Sequence, residues 1–177
     1  MSAGPGAPTR GKGGKAVSLT DLSSVLWRSR ELLELLLFKL EEEQLLLAAG
    51  RSRWLGHATR EVELVLEQIR EVEVVRAAYA QAVALELDLA ADASLGELAD
   101  AAPMPWSELL HQHRKGFLTL TSEISGLAAT NRDLLSAGQR AARETMMVIS
   151  GSVETYGRQG KTVSGAARRA HLVDEAI

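Results

Sequence analysis

The chain contains no cysteine. That absence excludes a disulfide framework and a thiol nucleophile, and it fits a reducing compartment such as the bacterial cytosol. Aromatic residues make up 4% of the chain, and two of its four prolines precede Thr9. β-Branched and aromatic runs bounded by turns are missing, which argues against a sheet. The scarcity of proline leaves the middle of the chain almost free of helix breakers. Long apolar runs are missing too. The most apolar stretch, residues 32–40, is short and carries Glu34 and Lys39, so it does not read as a membrane span. Residues 1–17 carry Arg10, Lys12 and Lys15 around no apolar centre, unlike a secretory leader.

What is present is 46% hydrophobic residues in a chain of 177, with the surplus in leucine, alanine and valine. This suffices for one domain whose core needs no disulfide or metal. The net charge of −3 is unevenly spread: residues 1–17 contribute +3 and residues 157–177 contribute +2, leaving −8 on the rest. An acidic helical body with basic ends lacks the clustered cationic face that neutralises phosphates, so nucleic acid is not an expected partner.

The periodicity predicts three long helices. The first starts near Ser18 or Thr20 and runs to about Ala49, where Gly50 terminates it. Its seam is Leu19, Leu22, Leu26, Leu33, Leu36, Leu40 and Leu47, interrupted by Ser29 and Glu43. Leu32, Leu35, Leu37 and Phe38 add apolar surface off that seam, so this helix requires at least two packing partners. A second helix, from Ser52 or Trp54 to Leu89, has the seam Leu55, Ala58, Val62, Val65, Ile69, Val72, Tyr79 and Val83, with Arg76 intruding. The short link at Gly50 makes the pair an antiparallel hairpin. Ser94-Leu-Gly-Glu97 has capping-box spacing and predicts a short helix through Asp100. Pro105 and Trp106 then open the third long helix, with the seam Trp106, Leu110, His113, Phe117, Leu120, Ile124, Leu127, Asn131 and Leu134. The expected fold is all-α: an antiparallel helical hairpin plus a long third helix. It forms a coiled-coil-like three-helix bundle over residues 18–157, with disordered tails at 1–17 and 158–177.

Patterns that suggest chemistry are few, and each is incomplete. Residues 6–12 match most of a phosphate-loop consensus, but Gly13 stands where the magnesium-binding hydroxyl belongs. His111 and His113 lie on different helix faces. His57 and Glu61 share a face but make two ligands without a third. Glu41, Glu42 and Glu43 point in divergent directions and read as a solvated face. No nucleophile–base arrangement emerges. The expectation is a protein that is not an enzyme and has no catalytic residues, metal, cofactor or small-molecule substrate.

The informative segment is residues 131–162. Its apolar stripe passes from Leu134 and Leu135 to Gly138, Ala141 and Ala142, then to Met146, Met147, Val148 and Ile149, ending in a polar tail around Tyr156 and Gly157. A helix whose face turns small and adaptable before its end looks as though another chain completes it. Asn131, in a seam position, has two readings: it sets register, or it hydrogen-bonds a ligand helix.

This segment, with its Asn, its Leu134-Leu135 pair, Tyr156-Gly157, Gly160 and Thr162, resembles the C-terminal part of the FlgN family of flagellar export chaperones. Residues 36–50 look like the actinobacterial branch of that family. The resemblance covers roughly residues 19–162. It implies a cytoplasmic chaperone that binds C-terminal helices of the hook–filament junction proteins, the hook-associated proteins of FlgK and FlgL type. Such a chaperone prevents premature assembly and delivers these clients to an export-gate protein of FlhA type. Carried over, Asn131, Leu134 and Leu135 begin the client-binding helix, which Gly138, Ala141, Ala142, Met146, Val148 and Ile149 continue. Tyr156, with Gly157, becomes the gate-docking candidate. The alternative is a self-associating coiled-coil scaffold or adaptor, suggested by the surplus apolar surface at residues 32–38.

Overall fold

The structure, a computed structural model, describes residues 12–155. Four helices follow in order: α1 (Lys12–Ala48), α2 (Ser52–Glu86), α3 (Leu95–Ala101) and α4 (Trp106–Thr155). Among the described residues there is no strand, and the all-α expectation holds. The chain divides into two compact units, residues 1–131 and 132–177. The first unit holds α1, α2, α3 and the first part of α4.

The helix ends show how local chemistry sets the topology. Gly50 adopts φ +63, a left-handed conformation that costs glycine little. It lets the Arg51 N–H donate to the Leu46 carbonyl at 2.9 Å and the Gly50 N–H donate to that of Leu47 at 3.1 Å. These paired bonds close α1 in a Schellman turn and send the chain back as α2. The same device ends α2 at Glu86, three residues before the expected Leu89. Asp88 takes φ 58, and the Leu89 N–H donates to the Ala84 carbonyl at 2.9 Å. A short polar side chain adopts this conformation more readily than other non-glycine residues, though at a cost that glycine avoids, a signal the apolar pattern conceals.

α1 starts at Lys12, ahead of the expected Ser18 or Thr20. An internal serine does not stop a helix, and Lys15, Ala16 and Val17 continue it, whereas Gly13 and Gly14 in its first turn add no helix propensity. The capping box of α3 forms as its spacing predicts. The Ser94 N–H donates to Glu97 Oε2 at 2.7 Å, and the Glu97 N–H donates back to Ser94 Oγ at 3.3 Å. The Ser94 N–H, helped by the Ser94 side chain, stabilises the ionised Glu97 carboxylate and holds its pKa below the usual value. α4 opens with the Leu109 N–H donating to the Pro105 carbonyl at 3.3 Å.

The core of the first unit has two layers. The larger joins Leu19, Leu22 and Leu26 of α1 to Val83 and Ala84 of α2, to Leu98 and Ala99 of α3, and to Leu110 of α4. Four helices therefore share one cluster, and each fully buried leucine contributes about 1.5–3 kcal/mol relative to exposure. The second layer joins Leu36 and Leu40 to Val65, with Ile69, Ile124 and Leu127 packed around them. α1 thus has two long-helix partners, as its excess of leucine requires. One seam assignment changes: Leu32 is buried, whereas the expected Leu33 is only half-buried. A helix wedged between two partners has a broad buried face, and a single 3–4 seam does not describe it.

Candidate functional site

Polar contacts tie the second layer together. Lys39 Nζ sits 2.7 Å from both Glu42 on its own helix and Glu61 on α2. Those carboxylates raise the lysine's pKa, and the ammonium in turn lowers that of Glu61. Glu43, one turn further along α1, accepts from Thr59 Oγ1 of α2 at 2.8 Å and from Asn131 Nδ2 of α4 at 3.1 Å. The same Asn131 amide donates to the main-chain carbonyl of Leu40 at 2.9 Å. Glu43 interrupts the first seam in the sequence; in the structure it connects three helices. The available signal was the polar residue in the α4 seam, Asn131, which required a polar partner somewhere on the opposing seams.

Asn131 is therefore buried, and its side-chain N–H groups are spent inside the first unit. Its Oδ1 is buried without a hydrogen-bond partner. Of the two readings of this residue, register-setting is the one its observed contacts support.

A second polar centre lies higher on the same seam. His113 is 2% exposed, and neither ring nitrogen has a hydrogen-bond partner. Its ring meets Trp27 edge-on at 4.8 Å and stacks on Phe117 at 6.2 Å. Burial, followed by the nearby Arg30 guanidinium, pushes its pKa below 6.5. Arg30 lies over the Trp27 ring at 5.7 Å and donates to Glu34 at 2.9 Å. A methyl group placed on Gly116 would meet Arg30 Nη1 at 3.3 Å, so the absent side chain gives the guanidinium room against α4. His111 instead faces α3, with Nε2 3.2 Å from Asp100. His57 rests beside Trp54 with ring centroids 5.9 Å apart, and Glu61 is engaged by Lys39.

The second unit presents a different surface. Leu134 is half-buried, and from Leu135 to Ile149 every residue is exposed. Met146, Met147 and Val148 reach 69%, 75% and 71% exposure. At helical spacing, Leu134, Leu135, Gly138, Ala141, Ala142, Met146 and Ile149 share a broad face, with Val148 at its margin. A Cβ on Gly138 would meet nothing within 4 Å, so no packing contact of the described residues calls for glycine there. Thr145 Oγ1 donates to the Ala141 carbonyl at 2.9 Å, which turns a polar group on this face back onto its own helix. The result is an apolar strip of small and flexible residues. Tyr156 and Gly157 lie outside the described residues.

Among the described residues, no cluster of three or more His, Asp or Glu side chains is placed to hold a metal. No helix of the described residues is long and apolar enough to cross a membrane. No curated protein and no solved structure matches the chain. A family model does: residues 18–164 match that of the FlgN protein. The match spans both core layers, the Asn131 anchor and the exposed strip. With most of its length so matched, the chain belongs to the FlgN family, a family of flagellar export chaperones rather than of enzymes.

Proposed function

We propose that this protein is the export chaperone for hook-associated proteins of the hook–filament junction, with residues 134–149 of α4 as the client-binding surface. The exposed apolar strip of Leu135, Met146, Val148 and Ile149, with half-buried Leu134 at its start, is the observation that carries the reading. An unassembled client helix exposes an apolar face that self-associates, and a half-finished chaperone helix covers that face by helix-to-helix packing. Gly138, Ala141 and Ala142 allow close backbone approach, while the methionines adapt to two different clients. Such a surface binds without the permanence of a leucine zipper, as delivery to an export gate requires. Asn131 itself is held inside the first unit by Leu40 and Glu43, so the proposed client surface starts after it in the sequence. Tyr156, with Gly157, is assigned to docking on an FlhA-type gate protein through the family resemblance alone.

Co-purification of the full chain with C-terminal fragments of FlgK- and FlgL-type proteins tests the assignment. Wild type retains the fragments, and the double variant Leu134→Asp/Ile149→Asp releases them. Equal retention by wild type and variant would remove this surface from the client site. A second reading, a self-associating scaffold, draws on the exposed Phe38, Leu64 and Val74 of the hairpin. Light scattering across concentrations separates the two, since a scaffold forms a stable high-order oligomer and ignores the client fragments.

A further inference from the structure

The tip of the α1–α2 hairpin differs in charge from the rest of the acidic body. Residues 44–60 contain Arg51, Arg53 and Arg60 and no aspartate or glutamate. The other cations between residues 18 and 86 are all paired: Arg28 with Glu31, Arg30 with Glu34, Lys39 with Glu42 and Glu61, Arg70 with Glu67, and Arg76 with Glu73. Arg51, Arg53 and Arg60 make no ion pair among the described residues. All three are exposed. Three such guanidiniums in a stretch without a carboxylate make the tip a local cationic patch on an acidic body, complementary to an anionic surface.

Large apolar groups sit among these charges. Trp54 is 47% exposed and Leu45 is 69% exposed. The Arg53 guanidinium lies over the Trp54 ring at 5.0 Å. An amphipathic ring beside arginines suits the boundary between headgroups and acyl chains, where the indole is half-immersed and guanidiniums reach phosphates. Every residue from Ala48 to Trp54 is exposed, so the turn is convex. A convex tip cannot enclose a peptide strand or helix, which needs a groove, but it can press into a soft bilayer interface.

We propose that the hairpin tip is a peripheral docking site for an anionic phospholipid surface. Arg51, Arg53 and Arg60 contact headgroup phosphates, and Trp54 and Leu45 enter the interfacial layer. Neither α1 nor α2 spans the bilayer. The inference rests on residues 44–60 alone, so it does not depend on the client assignment.

The test is sedimentation of the full chain with vesicles of phosphatidylglycerol mixed into phosphatidylcholine, against vesicles of phosphatidylcholine alone. The mixed vesicles carry the protein down and the neutral ones do not, and raising the salt to about 0.5 M releases it as the Debye length shrinks. Because each interfacial arginine is worth about fivefold in partition, Arg51→Gln/Arg53→Gln binds about 30-fold more weakly. Arg70→Gln, a substitution in an existing ion pair, leaves binding unchanged. Both variants retain the basic residues 1–17 and 157–177, so the comparison isolates the tip. Circular dichroism confirms that the variants remain helical. Equal binding to both vesicle types, or an undiminished double variant, overturns the proposal. So does tip-dependent capture of a soluble acidic peptide without vesicle binding, which would make the site a protein-docking surface.

Discussion

The side-chain amide of Asn131 on α4 donates to the main-chain carbonyl of Leu40 on α1 at 2.9 Å, across 91 residues of sequence. That carbonyl lies inside a helix, so the amide adds a bond to a backbone group within α1. Glu43 receives the second N–H. The contact has one geometry, because sliding α4 by a turn would bury the amide against leucine. An apolar residue at this position would tolerate several registers; asparagine tolerates one.

Substituting Asn131 separates donor chemistry from shape. Asn131→Ala loses the hydrogen bonds and some packing, at a cost of about 1–2 kcal/mol. Asn131→Asp is worse, by roughly 3 kcal/mol at neutral pH, because a carboxylate then faces the Leu40 carbonyl and the Glu43 carboxylate in a buried site. Urea unfolding of the two variants measures the difference. If Asp proves no more costly than Ala, the amide is not acting as the donor.

His113 makes stability depend on pH with a defined sign. Its folded-state pKa is lowered by burial and by Arg30, so below pH 6.5 the unfolded chain takes up a proton that the folded chain resists. Stability is complete above the unfolded value and declines as pH falls through 6.5 toward the folded value. His113→Phe retains a ring beside Trp27 and Phe117 and flattens this decline. The check is the urea midpoint between pH 7.5 and 5.5 for both proteins; identical slopes would show that other groups dominate.

Gly138 distinguishes chain stability from client binding. Its Cβ position is open, so Gly138→Ala improves the helix by up to about 1 kcal/mol through propensity alone. Gly138→Leu leaves the free chain folded but blocks close helix approach, and client affinity falls by about tenfold, the effect of roughly 1.4 kcal/mol. Titration calorimetry with a client fragment and thermal unfolding of the free variant read the two effects separately. A leucine variant that binds like wild type would place the client contact elsewhere on α4.

Tyr156→Ala addresses the gate. The expected outcome is unchanged client retention with weaker binding to the FlhA-type cytoplasmic domain and reduced motility. Unchanged gate binding would remove Tyr156 from the docking assignment.

Much of the architecture was legible in the residues. Leu110, His113, Leu120 and Asn131 were seam positions by spacing and are buried; Gly50 ended α1 and the Ser94–Glu97 box opened α3. These features depend on neighbours within a turn or two. Asp88 was not legible as a terminator, because aspartate adopts a left-handed conformation only where the surrounding backbone bonds compensate for it. The choice of Leu32 over Leu33 for the interior likewise depended on where two separate helices press against α1.

The sequence by itself determined the all-α class, the hairpin and its caps, because helical period and capping chemistry act over three to seven residues. It also determined the family, through a pattern spread along residues 18–164. Tertiary structure alone decided which polar groups meet. Asn131 finds Leu40 and Glu43, Lys39 finds Glu61, and the arginines of the hairpin tip find no carboxylate among the described residues. Such pairings depend on the relative placement of helices tens of residues apart. Burial then decides their consequence: an amide enclosed between helices sets a register, while guanidiniums left in water stay available to a partner.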